Sequence, residues 1–574
     1  MTNVRGDLQT IRFDAFELDT GAGELRKQGV RIRLQEQPLR ILQMLLACPG
    51  QVVTRDELRN ALWPTNSYVD FDQGLNRAIN KLREALGDSA ENPRFVETLA
   101  KRGYRFIGDL ARARREIRSL LVLPLESLSQ DSEQGYFAEG LAEILTTTLA
   151  KISALRVLSR TTAAYYKRAH KTLPEIARDL DVDGVVEGSV LRSEGRVRVS
   201  VQLLHAPTDT HMWAENYERE MRDILVLQGD VARAIAHEIQ VRITPREEAQ
   251  LSHTPVVDPE AFDACLRGRY FWDKRTPAAI AQAMQSFEQA IARDPGFSAA
   301  YAGLAECFSA LSWWSYAPPE KGLARAKDLA SRTVETDPTL AEAHAALAWA
   351  VQYYDYDFKT AEREFRRAIE LDPNYSVACY RFGMTLAHLG RFEEAIAEAT
   401  CAVRLDPLAY NLSGAVAWVY MFARQNDRLL SHARRSVELH PDVPLSHWAL
   451  GYAHLETGDL ESAIAEMRVA TQLTDATLFR ALLAETYAVA GRYEDARVIV
   501  QQLHEQASER YVTPYMFGRI YTGLDAKDDA FRWLTAAYQE RAPWMVLLKR
   551  DPRLDRLRGD PRYEELVKRM NYPS

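Results

Sequence analysis

Between Leu75 and Asp88 the chain reads LNRAINKLREALGD, and five of its residues, Asn76, Arg77, Asn80, Lys81 and Arg83, have side chains suited to more than water. Carboxamide and guanidinium groups carry the donor and acceptor geometry that reads base edges, and cations neutralise phosphates. Leu75, Ile79, Leu82 and Leu86 recur at helical spacing, so this stretch is expected to form a helix with one apolar stripe and a polar face opposite it. Charge alone does not single it out. The stretch AEREFRRAIELDP is equally charged, and its place in a repeated unit leaves its charges facing solvent. Other candidate chemistry is thinner. His205 and His211 flank a turn near Asp209 without further ligands at tetrahedral spacing, and His237-Glu238 lacks the second histidine of a zinc-protease motif. Neither a phosphate loop, a dinucleotide-binding glycine pattern nor a G-x-S-x-G elbow is present. No catalytic residue, metal or cofactor is therefore expected, and the chemistry is read as binding.

The elements that would position the opening helix lie in a chain of 574 residues, room for roughly four domains at about 150 residues each. The net charge of −8 excludes a polycation that coats nucleic acid along its whole length, so any such surface must be local. Cys48, Cys265, Cys307, Cys379 and Cys401 are scattered without a C-x-x-C pair and read as small core residues of a reducing compartment. The first residues lack the apolar core of a secretion signal, and no run approaches the roughly 18 apolar residues of a membrane span. A cytoplasmic protein is expected.

From Ile11 to Ile107, IRFDAFELD and GVRIRL alternate as half-buried strands, EQPLRILQMLLACPG and TRDELRNALWP read as amphipathic helices, and the opening helix follows. Thr54, with Glu57 three residues on, is the expected cap of the second helix, and Pro64 its stop. RFVETLAKRGYRFIG supplies two strands around a basic turn at Gly103. In this order and spacing, the helix LxxAIxKLRxALGD, the hairpin NPRFVETLAKRGYRF and the ALWP ending resemble the winged helix-turn-helix output domain of the OmpR/PhoB type, in the form found in CadC-like regulators. That resemblance implies a third helix in the major groove and a hairpin wing in the neighbouring minor groove. Position by position it implies duplex-DNA contacts at Asn76, Arg77, Asn80, Lys81 and Arg83, with Lys101 and Arg102 at the wing tip. About ten residues precede the first strand, which leaves no room for the receiver domain of phosphorelay members, and the charged stretch 108–118 stands where CadC-like members carry a membrane span. Phosphorelay control and membrane anchoring are not expected.

Residues 119–245 alternate strands with helices and end in two strands joined near Glu194-Gly195, an α/β pattern. Their order, from VLP to THMWAENYER, resembles the TolB-amino-terminal-like domain, and self-association or signal relay is the task expected of it. After a linker at 246–257 the chain repeats itself. Pro295, Pro338, Pro373, Pro407 and Pro441 stand 43, 35, 34 and 34 residues apart, which is the tetratricopeptide period and predicts an all-α solenoid over 258–541, with 542–574 as its terminal cap. In that family the first helix of each unit lines the concave face. Laid on these repeats, this geometry aims Trp349, Tyr380, Met384, Trp418, Met421, Trp448 and Tyr452 into an aromatic groove that would take an apolar or extended peptide.

The resulting expectation is a DNA-binding transcriptional regulator with a winged helix, an α/β domain and a partner-recruiting repeat array, with homo-oligomer formation left open. Two alternatives stay open. One is a scaffold whose winged helix docks protein; the other is a small-molecule sensor centred on the middle domain.

Overall fold

The computed structural model describes residues 10–573 except 14–15, 22, 28–29, 64–70, 101, 109–116, 130–134, 194 and 253–256. The chain divides into two compact units, Met1–Glu116 and Ile117–Ser574.

The first unit opens with a four-stranded antiparallel sheet of β1 (Thr10–Phe13), β2 (Phe16–Asp19), β3 (Glu24–Lys27) and β4 (Val30–Ile32). IRFDAFELD is thus two strands and not one, with Phe13 paired to Phe16 and Ile11 to Leu18. The apolar parity shifts from 11 and 13 to 16 and 18, so both strands turn their rings to the same core, and Phe13 and Phe16 stack at 5.4 Å. Then follow α1 (Glu36–Ala47), β5 (Val52–Thr54), α2 (Arg55–Leu62), α3 (Phe71–Leu86), β6 (Val96–Leu99) and β7 (Gly103–Phe106). Thr54 caps α2, its hydroxyl accepting from the Glu57 N–H while the Glu57 carboxylate accepts the Thr54 N–H. The expected stop at Pro64 lies outside the described residues.

β5, β7 and β6 form a second sheet in that order, the wing pairing Leu99 with Gly103. A Cβ at Gly103 would stand 2.1 Å from the Val53 carbonyl oxygen, so only glycine lets β5 approach β7 here. Phe13, Leu42, Leu45, Leu58, Ile79, Leu82 and Phe106 fill the core between these elements.

The second unit begins with a mixed sheet. β8 (Ser119–Val122) lies between β10 (Arg156–Val157) and β11 (Gly184–Ser193), parallel to both, and β12 (Arg196–His205) and β13 (Thr210–Glu220) continue it antiparallel, with the short β9 (Glu126–Ser127) beside β11. The segment expected to hold two strands holds three, because Asp209 turns left-handed (φ 48°) after the short helix Ala206–Thr208 and starts β13. Leu120 and Val122 belong to the core under α4 (Gly135–Ala150), while Leu121 belongs to the core of α5 (Arg160–Arg168) and α6 (Leu173–Leu180). A strand covered on both faces reads as a continuous apolar run, as SLLV does.

Residues 246–257, expected as a linker, include most of the helix Pro245–Ser252. Its Leu251, together with Val257, joins a core that runs from Leu120 of the sheet to Phe262, Phe287 and Leu304 of the first repeats. The sheet and the array therefore share one interior. Paired helices follow from Pro259–Trp272 to Lys527–Gln539, and small residues let them approach: Gly451, for instance, meets Met467 and the Ala463 carbonyl.

The last stretch, 542–574, does more than cap the array. Two short 3₁₀ helices, Pro543–Leu547 and Pro552–Leu557, run back among the inner helices, and Pro561–Arg569 closes the chain. Trp544 stacks on Trp313 at 5.4 Å and meets Trp418 edge-on at 5.2 Å, and the Tyr356 hydroxyl donates to the Ala542 carbonyl.

Candidate nucleic-acid interface

Local chemistry fixes where α3 ends and the wing begins. Gly87 adopts φ +63°, and the Asp88 N–H donates back to the Arg83 carbonyl at 2.9 Å, closing the helix with a left-handed glycine. The Asp88 carboxylate then accepts the backbone N–H groups of Arg94 and Val96 at 2.7 and 2.8 Å. The LGD ending thus ties the helix to the first strand of the hairpin. At the other end, Gly74 faces the Trp63 ring, and Trp63 meets Phe71 edge-on at 5.9 Å, which seats α3 on the end of α2.

On the helix so placed, Leu75, Ile79, Leu82 and Leu86 are buried, while Asn76, Arg77, Asn80 and Lys81 are exposed. Arg77 and Asn80 make no hydrogen bond or ion pair among the described residues. Lys81 Nζ donates to Gln35 Oε1 at 2.6 Å, an exposed bond that a phosphate could replace. Asn76 is committed further, since its Oδ1 accepts from Arg55 at 3.1 Å and from the Tyr104 hydroxyl at 3.0 Å. Arg102 is exposed at the wing turn, whereas Lys101 lies outside the described residues.

Arg83 corrects the expectation made for it. Only 6% exposed, it donates to the Val96 carbonyl at 2.7 Å and to Thr98 Oγ1 at 2.8 Å, so it clamps β6 to α3 instead of facing DNA. The sequence had suggested the polar face for it, but helical spacing sets it beside Ile79 and Leu86, at the rim of that face. The residue that sequence reasoning missed is Arg55, at the first turn of α2, which binds Asp72 at 2.9 Å and Asn76. Its signal was a cation directly after the Thr54 cap.

The groove residues of the array also call for correction. Trp349, Met384, Trp418, Met421, Trp448 and Tyr452 are all 5% exposed or less, and Tyr380 is half-buried. They do converge: Trp418 lies 5.4 Å from Trp448 and 5.6 Å from Trp313. Trp418 faces Trp544 of the tail, Tyr452 faces Arg553, and the row lies within one hydrophobic cluster instead of facing solvent. Beside them Tyr452 donates to Glu485 at 2.9 Å, and Arg519, 3% exposed, binds Glu485 and Asp551. Burial among these charges pushes the Tyr452 phenol well above its usual range. The aromatic surface is the array's own core.

A cavity of about 1430 Å³ lies between the middle sheet domain and the array, lined by Glu143, Arg160, Arg269, Glu306, Asp372 and Asp406 among others. Asn374 bridges its floor, donating to the Ala150 and Leu155 carbonyls and accepting from the Val157 N–H at 3.0 Å. Thr162 Oγ1 donates to Asp406 at 2.9 Å, and the Ser159 N–H donates to the Leu405 carbonyl at 3.1 Å. Burial raises the Asp406 carboxyl to about 6; burial, with Glu342 adding to it, raises Asp372 to about 7.

A winged helix-turn-helix with a free helical face, followed by a mixed sheet and a helical-repeat array, is the architecture of a DNA-binding regulatory protein. Residues 29–106 match the family described as transcriptional regulatory protein, C terminal, and residues 364–397 match the tetratricopeptide repeat. The N-terminal unit thus carries an OmpR/PhoB-type domain and the C-terminal unit tetratricopeptide repeats. Neither match reaches residues 119–245, so the TolB-like resemblance of that region gains no support from them.

Among similar proteins, the transcriptional regulator HilA of Salmonella typhimurium is 23% identical over 407 residues, 69% of this chain and 70% of HilA. A putative adenylate cyclase 3 of Rhizobium meliloti is 34% identical over 237 residues, 41% of this chain and 40% of that protein. The cholera toxin homolog transcriptional activator of Vibrio parahaemolyticus is 41% identical over 110 residues, 19% of this chain and 37% of the activator. The chain thus spans 40% of the length of the Rhizobium meliloti relative and 70% of HilA. None of its helices is long and apolar enough to cross a membrane, among the described residues.

Proposed function

We propose that this chain is a cytoplasmic, non-enzymatic transcriptional regulator that binds duplex DNA through α3 and its wing and engages a protein partner through the repeat array. The observation that carries the reading is the exposed row of Arg77, Asn80 and Lys81 on a helix whose other face is locked into the core. Phosphate contacts by Lys81 and Arg102 hold the duplex, and Arg77 and Asn80 reach base edges. The partner surface is assigned to the outer faces of the array, because the inner face is already filled by residues 542–557.

The test is retention of sheared genomic duplex by the full-length protein, with the bound fragments sequenced. Enrichment of a common site, weakening as salt rises, is the expected result. Full-length, folded protein that retains no duplex even at low salt would overturn the reading. A second reading, a regulator that also senses a small molecule, is favoured by the charged cavity between the middle domain and the array. Thermal stabilisation of the C-terminal unit by one metabolite fraction, and its loss in Arg269→Ala, would support that reading over the first alone.

A further inference from the structure

Cys379 and Cys401 stand 22 positions apart in sequence, on the helices Ser376–Leu389 and Phe392–Leu405, yet Cys379 Sγ lies 3.7 Å from Cys401 Sγ and donates toward it. Sequence reading took all five cysteines for isolated core residues, and two of them fit that description. Cys265 and Cys307 are buried without a second thiol beside them, while Cys48 is exposed. The remaining two form a pair with unequal access. Cys379 is 1% exposed, and Cys401 is half-buried.

We propose that Cys379 and Cys401 are an oxidisable dithiol that a peroxide converts to an intramolecular disulfide. Access and electrostatics assign the order of events. The hydrogen bond from Cys379, followed by the positive charge of Arg404, holds the Cys401 thiol below its ordinary range, and the Cys379 thiol is held up. Cys401 therefore presents the thiolate, which is the nucleophilic form. Its sulfur attacks one peroxide oxygen, the O–O bond breaks, and the other oxygen leaves as hydroxide and is protonated to water. Cys401 is now a sulfenic acid, oxidised by two electrons. Cys379 then loses its proton and attacks the Cys401 sulfur. The S–O bond breaks, the oxygen departs with that proton as water, and the S–S bond forms. With hydrogen peroxide the balance is two thiols and one peroxide to one disulfide and two waters. The sulfurs need to approach from 3.7 Å to a bond length of about 2.05 Å, a shift within reach of side-chain rotation and a small helix adjustment.

The pair also sits between the two turns that hold the middle domain. Cys379 follows Asn374 by five positions, and Cys401 precedes Asp406 by five. Those two residues carry the bonds to Ala150, Leu155, Val157 and Thr162. A covalent bond here joins the start of one contact helix to the end of the next.

The experiment treats the full-length protein with hydrogen peroxide, blocks remaining thiols, and maps the products by mass spectrometry. Trypsin cleavage after Arg381 and Arg391 puts the two cysteines on separate peptides, so their disulfide appears as a joined pair that reductant separates. Wild-type protein is expected to yield that pair at stoichiometric peroxide. In Cys379→Ser, Cys401 is expected to stop as a sulfenic acid that a carbon nucleophile traps. In Cys401→Ser, oxidation of Cys379 should slow roughly tenfold or more, because the buried thiol lacks both access and thiolate character. The wild-type map needs no variant to fold. A map in which Cys48 alone reacts, or in which wild-type Cys401 runs on to sulfinic acid without joining Cys379, overturns the proposal.

Discussion

The outer face of α3 and the inner face of the array pose the same problem and solve it oppositely. On each, a period in the sequence gathers side chains able to bind something on one side of a helix. On α3 that side is bare: Arg77, Asn80 and Lys81 stand exposed while leucines and Ile79 hold the other face. In the array the side is covered, since Trp418 and Trp448 are 5% and 3% exposed and meet the tail and each other. Period tells which residues share a face. What covers that face depends on segments far away in the chain.

The comparison breaks most visibly if the covering segment is removed. Ending the chain after Arg541 strips Trp544 from Trp313 and Trp418, and takes Asp551 from the buried Arg519. A buried cation left short of a partner costs about 3–5 kcal/mol, and exposure of the tryptophans adds to that. The C-terminal unit is expected to lose its cooperative unfolding transition and aggregate. Survival of a folded, monomeric array with accessible tryptophans would make the inner face a displaceable binding groove after all. The single substitution Trp544→Ala, at 2% exposure, should cost about 3–5 kcal/mol in denaturant unfolding of that unit. Trp418→Ala belongs with it: it should unfold the array, not merely detach a partner.

A signal for that burial was present. The helix Tyr410–Phe422 contains AVAWVYMF, apolar on every side, and a helix of that kind is covered all round. What the local pattern could not reveal was that the cover comes from Trp544, whose indole N–H donates to the Trp313 carbonyl 231 positions away. Elsewhere the sequence was more explicit. The Thr54 cap and the LGD ending are short-range chemistry, and they appear where their residue types placed them. The reversal between β1 and β2 was visible as a shift of apolar parity and was read through as one strand. Arg83 shows the limit at single-residue scale. At the rim of a helix, a cation five positions before Asp88 serves DNA or the wing according to where the Val96 carbonyl sits, and that is a tertiary fact.

Arg83 and Arg77 sharpen the comparison within one helix. Arg83→Ala removes two charge-assisted hydrogen bonds from a buried site and should destabilise the N-terminal unit by roughly 2–3 kcal/mol, with DNA affinity lost only as folding is lost. Arg77→Ala should leave stability within about 0.5 kcal/mol, since it is exposed, and weaken specific binding by about 1–3 kcal/mol. Lys81→Ala should weaken binding to all duplexes alike and reduce the salt slope by about 1. Parallel unfolding and titration curves separate these outcomes; equal loss of affinity without destabilisation at both arginines would return Arg83 to the DNA face.

The smallest expected effect concerns carboxylates rather than aromatics, where burial again decides what a side chain does. Asp406 and Asp372 belong to the Asp-Pro turns that mark the repeat, positions usually read as solvent-facing helix stops. Here they lie 6% and 8% exposed where the middle domain meets the array, and burial raises their carboxyls to about 6 and about 7 from an ordinary value of 3.8. Between the unfolded and folded values the folded chain holds more protons, so stability falls as pH rises through that window. The contribution is present in full below about pH 4 and is lost above about pH 7, opposite in sign to a salt-bridged carboxylate. The groups facing Asp406 are Thr162, which donates to it, Ser159 and the charge of Arg160, which lowers the value without restoring it. Asp406→Asn keeps the acceptor for Thr162 and removes the charge. It should stabilise the C-terminal unit by about 1 kcal/mol more at pH 8 than at pH 5, and flatten the pH dependence between them. Denaturant midpoints at the two values provide the check. A variant less stable at pH 8 than at pH 5 relative to wild type would mean that the ionised carboxylate is favoured at this contact, with Arg160 its counter-charge.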